Sequence, residues 1–439
     1  MRTDASCLAQ WLIGVALFVS GCGSGQVGDN PRPDSAVSHD GAVQTDGGST
    51  PRSDSGTNGK RIFVAGDLPD YQWRQLPAER VPWNRISALN IGMLWPMPSG
   101  NTFTLGQSNW ETRLPAQIAA SWSDAAKRYT AEGRAAGVKV VCLLGGAGGN
   151  PNPTGERGRD YFAAATDTDE HARAFAENIK MVLQGMQFDG VNLDWEDGSA
   201  NAQIMQAGLV RLAHQLRLAW PEAYIVIPAS PTGDDAAGLA PAKDDVDAFE
   251  PMTYMDVDGN WGGWEIPYPL TPLRGESYSV ERTLGRWTVA GVPASKILLG
   301  VAGYGAIWTD QSGDHRVPNT PLAGMDNVDG EHASYAGDNY VTQAWLNRTL
   351  AAYPQFSEGW HEATKTSFWG APSRTTPVRI PDPRGGAGTV EAGLIFYETP
   401  RSIQAKISFA QQHDMKGLSF WTIAELIDGE RSPILEAIQ

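Results

Sequence analysis

The chain has 439 residues, of which 41% are hydrophobic and 19% charged, and its formal net charge is −16. This length suffices for one large globular domain or two smaller ones. The acidic balance argues against a nucleic-acid partner, because phosphates require a basic protein surface.

The N-terminus has the pattern of an export signal. Arg2 precedes an apolar run, residues 11–19, that is too short for a comfortable transmembrane helix. The run ends in Val19-Ser20-Gly21-Cys22, which resembles the lipobox of bacterial lipoproteins, where the cysteine is lipidated and becomes the first mature residue. We therefore predict a lipoprotein signal peptide over residues 1–21 and an exported protein. Cys22 would anchor it at the bacterial cell surface or outer membrane, from which it could also be released. An ordinary signal peptide with a chance cysteine is the alternative.

Residues 22–60 consist mainly of Gly, Ser, Asp, Pro and Thr, with almost no large apolar side chain. Such a segment buries too little surface to offset the entropy lost on ordering, so it predicts a disordered tether. Apart from Cys22, the mature chain would keep only Cys142, so no intrachain disulfide is predicted. Cys142 lies in an apolar run and is interpreted as a small buried side chain.

From residue 61 onward, short apolar runs alternate with helical patterns. Seven strands are predicted at residues 61–65, 86–92, 138–144, 188–197, 224–229, 249–254 and 296–301. Helical spacing marks residues 122–136, 175–186, 209–216 and 280–289. Strands that alternate with helices over short links indicate a parallel sheet.

The remaining residues contain an interruption and then the end of this pattern. Residues 306–392 are rich in Gly, Pro and aromatic side chains, with one clear helix near residues 341–352. Structureless loops of that length are uncommon, so we predict a small inserted α+β subdomain between strands seven and eight. A strand-like run at 394–397, a helix at 403–411 and an eighth strand at 417–421 follow. The predicted architecture of residues 61–439 is a (β/α)8 TIM barrel, in which chemistry lies at the C-terminal ends of the strands.

The fourth strand carries the strongest chemical signal. Because side chains alternate between the two faces of a strand, Asn192, Asp194 and Glu196 share one face, and the apolar residues between them share the other. Two carboxylates aimed at an interior are costly to desolvate unless they bind or react with something. We therefore predict the active site here. A solvated polar edge is the alternative, and the apolar strand flanking the acids argues against it.

Five motifs lie at the ends of predicted strands, in a fixed order. They are Asp189-Gly190-Val191-Asn192-Leu193-Asp194-Trp195-Glu196, the pair Gly145-Gly146, Met252-Thr253-Tyr254, Gly303-Tyr304-Gly305 and Trp421. Together they resemble glycoside hydrolase family 18, the chitinase family. The first is similar to the family signature Asp-Gly-x-Asp-x-Asp-x-Glu. The others are similar to its Ser-x-Gly-Gly element, its Met-x-Tyr-Asp element, its Tyr-Gly after strand seven and its closing tryptophan. The resemblance covers nearly all of residues 61–439.

Three residues depart from the pattern of the family. Asn192 replaces the middle aspartate of the signature, which keeps a hydrogen-bonding shape but loses a charge. Leu143 stands where the serine is expected, and Met255 stands where the aspartate after the tyrosine is expected. Asp256 follows one residue later, and a shift of one residue on a strand changes the face. A bulge would be needed to bring Asp256 into the site.

The resemblance implies hydrolysis of β-1,4-linked N-acetylglucosamine polymers by a retaining, substrate-assisted mechanism. Glu196 would act as the acid and then as the base, Asp194 would hold the acetamide nitrogen, and Tyr254 would donate a hydrogen bond to the acetamide oxygen. The predicted substrate-binding residues are Asn192, Met252, Asp256, Tyr304 and Trp421. The spacing agrees with this mechanism, because carboxylates at i and i+2 of one strand approach the substrate from the same side.

The expected partners are a chitin-like polysaccharide and, through Cys22, a membrane, and a monomer is the expected state. No metal or other cofactor is expected, because the seven histidines are scattered and none pairs at ligand spacing.

Two other functions stay open. One is a non-catalytic glycan-binding protein on the same barrel, although such relatives usually lose the catalytic glutamate and Glu196 is present. The other is an endo-β-N-acetylglucosaminidase that acts on glycoproteins or peptidoglycan, although the insertion after strand seven favours chitin.

Overall fold

The structure is a computed structural model of the full chain. It describes residues 62–108, 114–147, 158–196, 202–254, 269–275, 279–308, 341–372, 378–383 and 388–438. The predicted signal peptide, the tether, the lipidation site Cys22, and Met255 and Asp256 lie outside these residues.

Strands and helices alternate along the described chain. The strands are β1 (Phe63–Pro69), β2 (Ala88–Ser99), β3 (Thr102–Ser108), β4 (Pro115–Ala116), β5 (Lys139–Ala147), β6 (Gly190–Glu196), β7 (Tyr224–Ala229), β8 (Ala248–Pro251), β9 (Leu298–Ala302), β10 (Ala306–Trp308), β11 (Ser357–His361), β12 (Thr366–Gly370), β13 (Val378–Pro381), β14 (Thr389–Ala392), β15 (Leu394–Phe396) and β16 (Gly417–Trp421). The α-helices are α1 (Ala120–Ala136), α2 (Gly158–Thr166), α3 (Asp169–Gly185), α4 (Ala202–Ala219), α5 (Ala236–Leu239), α6 (Val280–Val289), α7 (Gln343–Ala352), α8 (Pro400–Gln412) and α9 (Pro433–Glu436).

Eight parallel strands close into a barrel. Their order is β8-β7-β6-β5-β2-β1-β16-β9, and a parallel bridge between Phe249 and Ile297 joins the two ends. The strand that carries the two candidate acids, β6, is fourth in chain order and lies between β5 and β7. The predicted (β/α)8 TIM barrel is confirmed.

The two faces of the barrel strands have different neighbours, as their alternating sequence requires. Outward side chains such as Leu89, Leu193 and Phe249 pack with the helices in the main hydrophobic core. Inward side chains near the N-terminal ends of the strands form a separate apolar layer, which consists of Ala65, Ala88, Val141, Tyr224, Val226, Ala248 and Leu298. On strands β1, β2 and β8, the residues two positions further along therefore point into the barrel above this layer.

Side-chain caps fix where several barrel helices begin. Thr168 accepts a hydrogen bond from the backbone of His171 at the start of α3, and Ser279 does the same for Arg282 at the start of α6. Thr399 and Ser402 form a capping box at the start of α8. None of the helices in the described ranges has the length and apolar character to cross a membrane.

A second sheet lies between the seventh and eighth barrel strands. It is four-stranded, in the order β10-β15-β12-β11, and β13 pairs with β14 as a separate hairpin. Helix α7 contributes Trp345 and Leu346 to a hydrophobic core shared with Ile380 and Ile395 of these strands. Strand β15 pairs with β10 and β12, so this sheet continues to Phe396, beyond the predicted boundary at residue 392.

Strand β2 is longer than the sequence predicts. The expected strand ends at residue 92, whereas β2 continues to Ser99 and forms an antiparallel hairpin with β3. The register shifts between Ile91 and Leu94, which is where β2 leaves the barrel and becomes a hairpin strand. Prolines at 96 and 98 hide this extension from a sequence reading, because proline removes a backbone donor from the strand.

Candidate active site

Strand β6 places the two predicted acids where the sequence pattern puts them. Asn192 and Asp194 point into the barrel and are 1% and 6% exposed, whereas Glu196 ends the strand and is half-buried. Trp195 faces the opposite side, where its ring stacks on Phe162 at 5.2 Å between centroids. The acids therefore form a column that rises from the interior to the rim of the barrel.

The glycine pair of β5, Gly145 and Gly146, allows β5 and β6 to approach each other closely. Gly145 pairs with Asp194 across the two strands. It has φ +115°, and a Cβ added there would lie 2.0 Å from the backbone oxygen of Asp194. Only a residue without a side chain allows the strands to approach this closely. Leu143, which stands where the family has a serine, pairs with Asn192 and is buried.

A set of polar side chains lies inside the barrel, some level with the apolar layer and some two residues beyond it. We call it the buried polar layer, and its members are Asp67 of β1, Asn90 of β2, Asn192 of β6, Glu250 of β8 and Ser419 of β16. Each is at most 3% exposed. The amide of Asn90 donates a hydrogen bond of 2.7 Å to Oδ1 of Asp67. The carboxyl groups of Asp67 and Glu250 hydrogen bond to each other, which requires a proton on one of them.

The sequence did not reveal four members of this layer as site residues. Asp67, Asn90, Glu250 and Ser419 are single polar residues in short apolar runs. For the first three, the available signal was their position two residues after an inward alanine, Ala65, Ala88 or Ala248. That signal is readable only after the inward face of each strand is known.

Burial shifts the protonation of these acids. It raises the pKa of Asp194 well above its ordinary value, and the charges of Glu196 and Asp67 raise it further. Burial likewise raises the pKa of Glu250 to about 7, with the Ser419 hydroxyl opposing and the charge of Asp194 reinforcing the rise. The barrel interior therefore favours protonated carboxyl groups, which can donate hydrogen bonds.

Tyr254 follows β8 and belongs to the same site. Its side chain is half-buried, and its ring meets that of Tyr304 edge-on, with 6.4 Å between centroids and 82° between planes. The pKa of Tyr254 is raised well above its ordinary value, by burial first and then by the nearby charges of Glu250 and Asp67. The phenol thus remains a hydrogen-bond donor.

The other predicted substrate-binding residues divide into those that the structure places and one that it does not. Trp421 ends β16 next to Ala302 of β9 and is half-buried, and Met252 is half-buried just after β8. Both lie at the C-terminal end of the barrel, as Glu196 does. Asp256 falls outside the described residues, so its place relative to the site stays a prediction.

Some polar atoms at the centre of the site have no partner among the described residues. They are both amide atoms of Asn192 and Oδ1 of Asp194, all of them buried. Buried polar groups are almost always hydrogen-bonded, and exceptions call for an explanation. A ligand that brings a donor and an acceptor would satisfy them. Within the described ranges, no cluster of three or more His, Cys, Asp or Glu side chains has the arrangement of a metal site.

Residues 101–425 match the model of glycosyl hydrolases family 18. A probable endochitinase of Orgyia pseudotsugata multicapsid polyhedrosis virus is 25% identical over 311 residues, 64% of this chain and 50% of the relative. A chitinase-like effector of Moniliophthora perniciosa is 23% identical over 374 residues, 78% of this chain and 72% of the relative. The chain thus spans about half the length of the viral relative.

Solved structures share the fold. A family 18 N-acetylglucosaminidase from Paenibacillus barengoltzii superposes with a TM-score of 0.59 at 20% identity, covering 86% of this chain and 98% of that one. A class V chitinase from Nicotiana tobaccum, solved in complex with NAG4, gives a TM-score of 0.62 at 14% identity, covering 86% and 99%. At these identities the likeness shows the barrel alone.

Proposed function

The chain belongs to glycosyl hydrolases family 18, and from this premise we propose that it hydrolyses β-1,4-linked N-acetylglucosamine polymers with retention at the anomeric carbon. The observation that carries the proposal is the placement of Asp194 and Glu196 on one face of β6. Two residues apart on a strand, their Cα atoms are roughly 6–7 Å from each other along the same face.

This placement dictates where the nucleophile comes from. A retaining glycosidase with two carboxylates uses one as acid and the other as nucleophile from the opposite side of the sugar. Asp194 and Glu196 approach from the same side, so neither can be the opposing nucleophile. In the substrate-assisted route, the 2-acetamido oxygen of the substrate attacks the anomeric carbon instead.

Each group in the site then has one task. Glu196, the more accessible acid, protonates the glycosidic oxygen and later takes a proton from the incoming water. Asp194 accepts the acetamide N–H and stabilises the oxazolinium charge. Tyr254 donates to the acetamide oxygen and aims it at the anomeric carbon. Trp421, at the rim, provides an apolar surface for the sugar ring.

An assay with matched substrates tests the proposal. The full chain should cleave chitohexaose and release products with the β-anomeric configuration, as read by proton NMR. It should leave cellohexaose and fully deacetylated glucosamine hexamer intact, because they lack the acetamide nucleophile. Glu196→Gln removes the acid at constant shape and should lower kcat by at least about a thousandfold. Cleavage of cellohexaose, or α-configured products, would refute the mechanism.

A non-catalytic glycan-binding protein is the second candidate. Asn192 in place of the signature aspartate favours it, and one relative is described as a chitinase-like effector. The same experiment separates the two functions. Binding of chitohexaose by the wild-type chain, measured by calorimetry, without any cleavage would establish the binding protein.

Products separate the third candidate from the first. A chain that releases N-glycans from a high-mannose glycoprotein but leaves chitohexaose intact would be an endo-β-N-acetylglucosaminidase of glycoproteins. We propose chitin-type polymers because the second sheet between β9 and β16 adds structure beside the C-terminal end of the barrel.

We also propose that the protein is exported and held at the bacterial surface by a lipid on Cys22. The support is Val19-Ser20-Gly21-Cys22 after a short apolar run. Cys22→Ala should move the protein from the membrane fraction to the soluble fraction of the producing cells, and labelling with a radioactive fatty acid should be lost. A variant that stays in the membrane fraction and still takes up the label would refute the anchor.

A further inference from the structure

We propose that Asp67 and Glu250 are positioning residues that act through Asp194 and take over the electrostatic task of the carboxyl group missing at Asn192. The inference rests on the proposed function, since it concerns the protonation of a group in that reaction. It explains how a site that has lost one acid of its signature keeps a carboxyl cluster in the barrel.

The strands place these two acids inside the barrel, on the same inward face as Asp194. Asp67 follows the inward Ala65 by two residues on β1, and Glu250 follows the inward Ala248 by two residues on β8. On β6, Asn192 is level with Val226 of the apolar layer, and Asp194 comes two residues later. Asp67 and Glu250 thus enter the barrel interior from strands other than β6.

The hydrogen bonds of the pair define how it holds a proton. Oδ1 of Asp67 accepts from the Asn90 amide at 2.7 Å. When Asp67 is protonated, its other oxygen carries the proton and donates the hydrogen bond to Glu250. Oε2 of Glu250 has no partner among the described residues. Because the pKa of Glu250 is raised to about 7 and that of Asp67 is also raised, the pair gains one negative charge as the pH rises through neutrality.

The pair and Asp194 influence each other's protonation. Asp67 is among the charges that raise the pKa of Asp194, after burial and Glu196, and Asp194 raises that of Glu250. Tyr254 also responds to all three acids and to Tyr304. The remaining inward neighbours, Asn90, Leu143, Asn192 and Ser419, do not titrate near neutral pH.

A negative charge held near Asp194 favours its protonated form. Protonated Asp194 can pass its proton to Glu196, so that Glu196 holds it when it acts as the acid, and the Asp194 carboxylate then accepts the acetamide N–H. Asn192 cannot supply this charge, because an amide does not ionise. In the signature of the family, an aspartate occupies the place of Asn192 and would supply a charge from the same strand.

The test removes the charge and keeps the shape. The double variant Asp67→Asn/Glu250→Gln should move the basic limb of the pH profile of kcat/KM on chitohexaose to lower pH by about one unit. Asn192→Asp, added to the double variant, puts a carboxyl group back beside Asp194 and should return the limb toward its wild-type position. A basic limb that stays in place in the double variant would overturn the inference.

Glu425→Gln is the matched control. Glu425 is also fully buried and accepts a hydrogen bond from Gln72 at 2.9 Å, but its charge is not among the causes of the Asp194 shift. This variant can lose stability but should keep the wild-type pH profile. Thermal unfolding of all variants identifies any that fail to fold.

A second measurement keeps the inference separate from the proposed function. If the wild-type chain cleaves nothing, the proposed function fails, and the carboxyl group of Asp194 is titrated directly by carbon-13 NMR. The signal is assigned with Asp194→Asn. The Asp194 pKa should fall by about one unit in the double variant, and an unchanged value would overturn the inference without reference to activity.

Discussion

At the scale of single residues, the main feature of the barrel interior is that burial keeps titratable side chains protonated. Burial raises the pKa values of Asp194, Glu250 and Tyr254, so all three keep their protons, and can donate hydrogen bonds, to higher pH in the folded chain than in water. Donors are what the acetamide oxygen and a neighbouring carboxylate need. Burial thus keeps the site in the protonated form that the reaction needs. It also lowers the free energy of unfolding at higher pH, where these groups would ionise in the unfolded chain.

Glu250→Gln should change the free energy of unfolding by an amount that depends on pH. The pKa of Glu250 is raised from 4.5 in the unfolded chain to about 7 in the folded one. Below pH 4.5 the group is protonated in both states and costs nothing. Between pH 4.5 and 7 the unfolded chain ionises first, so the wild type loses on the order of 3 kcal/mol that the variant keeps.

Urea unfolding of the wild type and Glu250→Gln at about pH 4 and about pH 8 measures this difference. The variant should gain relative to the wild type at the higher pH. A difference in the free energy of unfolding that is equal at both pH values would mean that Glu250 titrates normally.

Tyr254→Phe should affect turnover more than binding. The phenol is expected to contact the acetamide oxygen most strongly as it attacks, so its loss should lower kcat by about a hundredfold with a small change in KM. Tyr129→Phe is the control. Tyr129 lies on helix α1, outside the barrel strands, and its hydroxyl donates a hydrogen bond of 2.7 Å to the backbone oxygen of Leu76. Equal effects of the two variants on kcat would argue against a role for Tyr254 in the reaction.

How far the site could be predicted depends on whether its residues share one strand. Asp194 and Glu196 stand two apart in a single run, so alternation alone put them on one face. Asp67 and Glu250 come from strands separated by most of the barrel sequence, and no local pattern joins them. Their partnership depends on the register of closed strands, which is a property of the fold.

The barrel strands themselves were predictable because each combines an apolar run with a turn signal. The prediction for β9 began two residues before Leu298, and that for β16 coincides with its observed range. Strand β8 ends at Pro251, three residues before the predicted end, because proline cannot continue the ladder. Helix α2 was not predicted. It covers Gly158–Thr166, and its few large side chains leave the helical period indistinct.

Strand β5 should tolerate no side chain at Gly145. A Cβ there would overlap the backbone oxygen of Asp194 at 2.0 Å, and φ is +115°. Gly145→Ala should therefore lower the free energy of unfolding by roughly 2–4 kcal/mol and reduce kcat, because Asp194 is displaced with its strand. Urea unfolding and the chitohexaose assay measure the two effects.

Gly285→Ala is the matched control for that substitution. Gly285 lies in helix α6, and a Cβ there meets nothing within 4 Å. The change should stabilise the protein by roughly 0.5–1 kcal/mol, since alanine favours helix, and leave kcat unchanged. If Gly145→Ala behaves like Gly285→Ala, the close approach of β5 and β6 is not required.

At the scale of the whole molecule, the insertion and the barrel have separate hydrophobic cores. The second sheet has its own hydrophobic core, which includes Ile380, Ile395 and Trp345, while the barrel core is continuous around its helices. The composition of residues 306–392 predicted an inserted subdomain, but not its strand order. That order brings β10 and β15, which are far apart in sequence, into one sheet, and long-range pairing of this kind leaves no local pattern.

The charge of the whole chain gives the last prediction. A net charge of −16 produces a field that acts on cations and leaves a neutral sugar polymer unaffected. Cleavage of neutral chitohexaose should therefore change less than about twofold in kcat/KM between about 20 and 500 mM NaCl. Partially deacetylated oligomers carry ammonium groups, so their kcat/KM should fall about tenfold over the same range as salt screens the attraction. Equal salt dependence for the two substrates would show that the charge of the chain does not reach the site. The comparison uses one enzyme and one set of buffers, so general effects of salt on folding cancel between the substrates.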